Sequence, residues 1–197
     1  MLSGTLLCAS ASPLLAWRAA SDLQRSLAEA AELQLTESVT YDGSYVVIDY
    51  PGGDVPRSQG VCTDVLIRAY RELGIDLQVL VHEDMTANFA VYPHDWGLAA
   101  PDSNIDHRRV PNLRTFFARK GQKLAVSSAG LDYLPGDLVT WTVGVSLPHI
   151  GIVSNRLNEE GSRPLIIHNI GAGPQLEDML FSYPVTGHYR YPTANQG

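Results

Sequence analysis

Gly60-Val61-Cys62-Thr63-Asp64-Val65-Leu66-Ile67-Arg68-Ala69-Tyr70-Arg71-Glu72-Leu73-Gly74 is the stretch that decides the architecture. Val65, Leu66, Ala69 and Leu73 recur at helical spacing and form one apolar stripe, and Gly74 is a natural C-terminal stop. The predicted helix, residues 62–73, therefore opens at Cys62, just after the Gly60-Val61 turn. A helix N-terminus carries partial positive charge and unpaired N–H groups. Both favour thiolate over thiol, and the same N–H groups can receive a developing oxyanion. Position alone thus gives Cys62 two parts of an acyl-transfer site. The ordinary place of a lone cysteine is that of a small buried apolar residue, so the chemical reading stands only if partners are found.

Outward from this helix, Ser21 can cap a helix over residues 21–37, with Leu23, Leu27 and Ala30 at helical spacing. Residues 45–50 (YVVIDY) are aromatic and β-branched and read as a strand; Pro51-Gly52-Gly53-Asp54-Val55-Pro56 breaks the chain into a loop. Helices are expected over residues 76–89 and 111–120, separated by a polar and aromatic loop over 92–110. Strands follow at 137–143, 149–154, 165–169 and near 187–191. Helices first and antiparallel strands after them argue an α+β fold, with N-terminal helices packed on an antiparallel sheet. No internal repeat or low-complexity linker divides residues 21–197, which read as a single domain.

The chain has 197 residues, 45% apolar and 18% charged, with a net charge of -7, ordinary values for a globular domain. No basic run is long enough to follow a phosphate backbone, which argues against a nucleic-acid partner, and no apolar run is long enough to span a membrane. Residues 1–20 (MLSGTLLCASASPLLAWRAA) carry no charge before Arg18, and Ala9-Ser10-Ala11 has the form of a signal-peptidase site, although no Lys or Arg precedes the apolar run. This segment is read as a signal or disordered N-terminus, and the protein as periplasmic or secreted. Cleavage after Ala11 would remove Cys8 and leave Cys62 as the one thiol, a nucleophile candidate.

A thiolate nucleophile needs a base, and the base needs an orienter. His149 opens a strand directly after Pro148. His168 lies near the end of the following strand, and Asn169 beside it points to the other face, so either is open as the third residue. Arg108 and Arg109 are adjacent guanidinium groups suited to clamp a carboxylate; the alternative is an Asp106–Arg109 pair that fixes the loop. Trp96 and Tyr92 are placed to wall a groove beside them. His82, Asp84, His94, Asp106 and His107 crowd the middle third without an H-E-x-x-H or C-x-x-C word, so no metal and no cofactor is expected. Gly171-Ala172-Gly173-Pro174 follows a strand and is a turn, not a nucleotide loop.

The order of these words resembles the NlpC/P60 cysteine peptidases: Gly52-Gly53 ahead of Cys62, then Pro135-Gly136-Asp137-Leu138-Val139, then His149-Ile150-Gly151-Ile152-Val153, then Ile167-His168. The resemblance runs from about Tyr45 to Asn169. It implies a papain-like fold and amide hydrolysis through a thioester, with Cys62 as nucleophile, His149 as base and His168 as its orienter. It also implies a peptide substrate, in the first place the stem peptides of peptidoglycan. Val61-Cys62-Thr63-Asp64 replaces the usual Asp-Cys-Ser-Gly, so the acidic residue before the cysteine is missing. Asp64 is carried with Arg108, Arg109 and Trp96 as a substrate-binding candidate. The words GVCTDV, NIDHRRVPNL, LPHIGIV and HNIGAG further resemble a bacterial family known as domain of unknown function 1287. Two rival functions are a non-catalytic wall- or protein-binding module on the same scaffold and an acyltransferase.

Overall fold

A capping box starts the first long helix: Ser21 Oγ accepts from the Gln24 N–H at 3.3 Å, and Gln24 Oε1 accepts from the Ser21 N–H at 3.1 Å. The computed structural model describes residues 12–192. Its helices are α1 (Pro13–Arg18), α2 (Asp22–Glu32), α3 (Cys62–Glu72), α4 (Leu77–Asn88) and α5 (Val110–Lys120). Asp76 caps α4 by accepting from the Gln78 N–H at 2.9 Å. A two-residue parallel pair, β1 (Thr40–Tyr41) with β2 (Gln59–Gly60), delivers the chain to Cys62.

The second half supplies a six-stranded antiparallel sheet. Its strands are β3 (Gln122–Leu124), β4 (Leu138–Val143), β5 (Leu147–Leu157), β6 (Pro164–His168), β7 (Gln175–Glu177) and β8 (Val185–Arg190), in the order β3-β8-β4-β5-β6-β7. Side-chain alternation gives the sheet two cores. Leu138, Ile150, Ile152, Ile167 and Tyr189 pack with Cys62, Val65, Leu66 and Ala69 of α3 and with Leu27 and Ala31 of α2. Val139, Trp141, Val153 and Ile166 pack on the other side with Tyr133, Met179 and Leu180. The α+β architecture with helices on an antiparallel sheet is therefore present.

The Pro135-Gly136-Asp137 turn is a structural joint. Gly136 has φ 77°, and a Cβ there would lie 2.3 Å from the Gln24 carbonyl oxygen, so only glycine lets α2 approach. The buried Asp137 carboxylate accepts from the Leu134 N–H at 2.9 Å and from Arg190 at 2.7 and 2.9 Å, and lies 2.7 Å from His188 Nε2. Every oxygen is occupied, as a buried carboxylate requires.

One expectation is corrected. Residues 45–50 form no strand. Their backbone is engaged by side chains instead: Asn104 Oδ1 accepts from the Ile48 N–H at 2.9 Å, and Gln78 donates to the Asp49 carbonyl at 2.9 Å. Tyr45, Val46, Val47 and Tyr50 are exposed, so β composition lacked a partner strand. Within the segment read as a leader or disordered, Pro13–Arg18 form α1, with Trp17 and Ala20 buried and α1 packed near the turn Gly130–Asp132; Cys8 and the Ala9-Ser10-Ala11 word lie outside the described residues. Strands β3 and β7 are three residues each, too short for a period to show. Among the described residues no helix is long and apolar enough to cross a membrane.

Candidate active site

Cys62 is the first residue of α3, where Val61 is extended (φ -121°) and the helix begins. Its thiol lies against the backbone N–H groups of Ile150 and Thr63 and the hydroxyl of Tyr41. All three pull its pKa down, but burial outweighs them and, with the nearby Asp64 carboxylate, pushes the thiol up to about 11. The expectation of a helix-terminus thiolate is thus corrected: desolvation of the buried thiol wins over the helix terminus. Tyr41 is held in the phenol form, pushed up to about 12 by burial and then by Cys62.

Ile150, whose amide faces the thiol, follows His149. The His149 Nε2 lies 3.0 Å from His168 Nδ1, and His168 Nε2 lies 2.8 Å from a Glu177 carboxylate oxygen. Both rings are buried, and His149 also packs beside Trp141, its cross-strand partner, at 5.9 Å between centroids. Burial, then the neighbouring imidazole, lowers the His149 pKa to about 3; burial lowers that of His168, opposed by Glu177. His149 Nδ1 has no hydrogen bond among the described residues. The structure therefore joins His149 to His168, and brings the thiol to the adjacent backbone without hydrogen-bonding it to the His149 ring.

Gly151 makes the two-ring contact possible. A Cβ at this position would lie 2.8 Å from Ile166 Cγ2, 3.0 Å from the Ile167 carbonyl oxygen and 3.1 Å from His168 Cβ. Strands β5 and β6 close together here because no side chain separates them. Glu177 lies opposite Ile166 in β7 and reaches His168 on the diagonal, a distance long polar side chains span.

Two of the substrate-binding expectations are corrected. Arg108 and Asp64 are buried and paired with each other, at 2.8 and 2.9 Å, and Asp64 also accepts from the Val61 N–H at 2.6 Å. Arg108 further donates to the Ser44 and Asp42 carbonyls at 3.5 and 3.4 Å. They hold the loop before Cys62 onto α3. Arg109 and Trp96 differ. The Arg109 guanidinium carbon sits 4.1 Å from the centre of the half-exposed Trp96 ring, a cation–π stack, and its Nη1 lies 3.3 Å from Asp106. Both residues line a cleft of about 330 Å³ with Tyr45, Ile105, the Asp64-paired Arg108 and Val61, the residue before Cys62. Tyr92 points elsewhere, into a hydrogen bond with Asp84 at 2.6 Å. Asn169 is also separate from the histidine pair: its amide donates to the Gly60 carbonyl at 3.4 Å. Sequence reasoning missed Tyr41 and Glu177, since neither stands in a word that signals a role.

Fold and site define a class: an α+β domain in which a cysteine opening a buried helix meets a sheet carrying two hydrogen-bonded histidines. Within that class, the chain belongs to the family described as Domain of unknown function (DUF1287), whose model matches residues 28–191. It is 53% identical over 166 residues to "Uncharacterized protein YijF" of Escherichia coli strain K12, a match spanning 84% of this chain and 80% of that one. Among solved structures it is similar to NlpC1 and NlpC2 from Trichomonas vaginalis, with TM-scores of 0.46 and 0.45, 18% and 16% identity, and coverage of 88% and 90% of this chain. The chain spans about half the length of those two, 45% and 50%.

Proposed function

We propose that the protein is a cysteine hydrolase that cleaves an amide bond through a thioester, acting on the peptides of the bacterial cell wall outside the cytoplasmic membrane. The observation that carries this reading is the histidine pair, ordered by hydrogen bonds, on the sheet whose Ile150 N–H, next to His149, meets the thiol that opens α3. The buried thiol and buried imidazole are both neutral at rest. Cys62 Sγ attacks the substrate carbonyl as its proton passes to His149 Nδ1, the nitrogen that His168 does not occupy, once sulfur and ring are brought together. The Cys62 N–H at the helix terminus receives the oxyanion. His149 then protonates the leaving amine, the thioester forms, and water attacks it to release the acid and restore the thiol.

The substrate class follows from the sequence resemblance and from the cleft beside Val61, where Arg109 and Trp96 would take an acidic side chain or stem carboxylate. One observation favours a second reading: Cys62 is only 4% exposed and its pKa is raised, as for a core residue of a non-catalytic binding module. Mass analysis of purified muropeptides incubated with wild type and Cys62→Ala separates the two. Hydrolysis by the wild type alone supports the enzyme; binding without cleavage by either protein supports the module.

A further inference from the structure

We infer that Glu177 is a positioning residue that sets the proton pattern of both histidines, leaving His149 Nδ1 bare to act as the base. The inference rests on the hydrolase reading for its consequence, but not for its geometry. A carboxylate offers only acceptor lone pairs. At 2.8 Å from Glu177, His168 Nε2 must therefore carry a hydrogen and donate it. A neutral imidazole has one N–H, so His168 Nδ1 is then a bare acceptor. His149 Nε2, 3.0 Å away, must donate into it. His149 in turn has spent its one N–H, and its Nδ1 is left with an unshared lone pair. Reversing the terminal group would reverse both rings and put a hydrogen on the nitrogen that has to receive the thiol proton.

Burial makes the pattern binding. Both rings are nearly inaccessible, so water does not compete for their nitrogens, and the lowered pKa values keep both neutral. The Glu177 side chain is 47% exposed, and its carboxylate makes no other hydrogen bond among the described residues.

The test uses the full chain with histidine rings labelled with nitrogen-15, and long-range proton–nitrogen NMR at neutral pH, with assignments made by single histidine substitutions. The expected wild-type result is the Nε2–H tautomer for both His149 and His168. In Glu177→Gln the side chain can accept or donate, so the preference is released and His149 becomes a mixture. Hydrolysis should fall roughly ten- to a hundredfold in kcat with KM little changed, at an unchanged melting temperature. Wild-type His149 protonated at Nδ1, or a His149 tautomer indifferent to Glu177→Gln, overturns the inference. Should Cys62→Ala still hydrolyse, the hydrolase reading falls while the ring result stands. Should the ring result fail in a Cys62-dependent hydrolase, only the role of Glu177 falls.

Discussion

Replacing Gly151 with alanine adds one methyl group at the tightest point between β5 and β6. The new carbon would stand 2.8 Å from Ile166 Cγ2, 3.0 Å from the Ile167 carbonyl oxygen and 3.1 Å from His168 Cβ. Ordinary contact between such atoms is at about 3.5–4.0 Å, so β6 must retreat by several tenths of an ångström. Ile166 is fully buried against Trp141 and Val153, which places the cost in the usual overpacking range of about 1–3 kcal/mol. For a domain of this size that is a fall of about 2–4 °C in Tm per kcal/mol. The same retreat carries His168 away from His149. Their 3.0 Å contact has little room before it leaves hydrogen-bond range, so activity should fall by more than stability explains at a temperature where the variant is fully folded. Urea denaturation and a kcat measurement on the same preparation check both. A variant with wild-type stability and wild-type kcat refutes the packing argument and the role of the ring pair together.

Other outcomes follow from the same geometry. Alkylation of Cys62 by iodoacetamide should accelerate only as pH rises past the free-thiol range toward about 11, whereas a rate already maximal at pH 6 would mean a resting ion pair. His149 and His107 are held neutral with pKa values lowered to about 3, chiefly by burial. The unfolded chain therefore binds more protons below about pH 6.5, and stability should drop by up to about 1.4 kcal/mol per pH unit per group as pH falls from there toward 3; a flat stability profile between pH 6.5 and 4 contradicts this. Breaking the buried Arg108–Asp64 pair with Arg108→Ala should cost about 3–5 kcal/mol in denaturant melts, against a null result if the pair is dispensable. Arg109→Ala should lower Tm through the loss of its contact with the buried Asp106 and, beyond that, raise KM for substrates with a free stem carboxylate, with a loss of about 1.5–3 kcal/mol in kcat/KM; equal effects on amidated substrates would make Arg109 a loop support.

The helix that opens at Cys62 was legible because its stripe is long and periodic and ends at a glycine. The strands around His149 and His168 were legible for a similar reason, each a short apolar run bounded by turn residues. Residues 45–50 misled because strand composition states a preference and not a partner; here Asn104 and Gln78 take the backbone groups. Arg108 and Arg109 are neighbours in sequence and look alike, yet one is buried on Asp64 and the other stacks on Trp96, a division that depends on where the turn Asp106–Arg108 aims each side chain. Asp64 looked available because nothing local reveals an arginine 44 residues away. Glu177 sits on a three-residue strand paired with β6, and only the sheet register shows that it meets His168. The thiol's neutrality was equally hidden, since the helix dipole is a local property and burial is a global one.

The claim that Cys62 hydrolyses an amide is tested most directly by the fate of the water. Purified muropeptides incubated with the protein in water enriched in oxygen-18 should yield fragments whose new carboxyl carries one heavy oxygen, about 2 Da above the fragment made in ordinary water, because water resolves the thioester. Cys62→Ala should yield no such fragment. Heavy-oxygen product from the Cys62→Ala variant, or cleavage by the wild type without incorporation, would contradict the account.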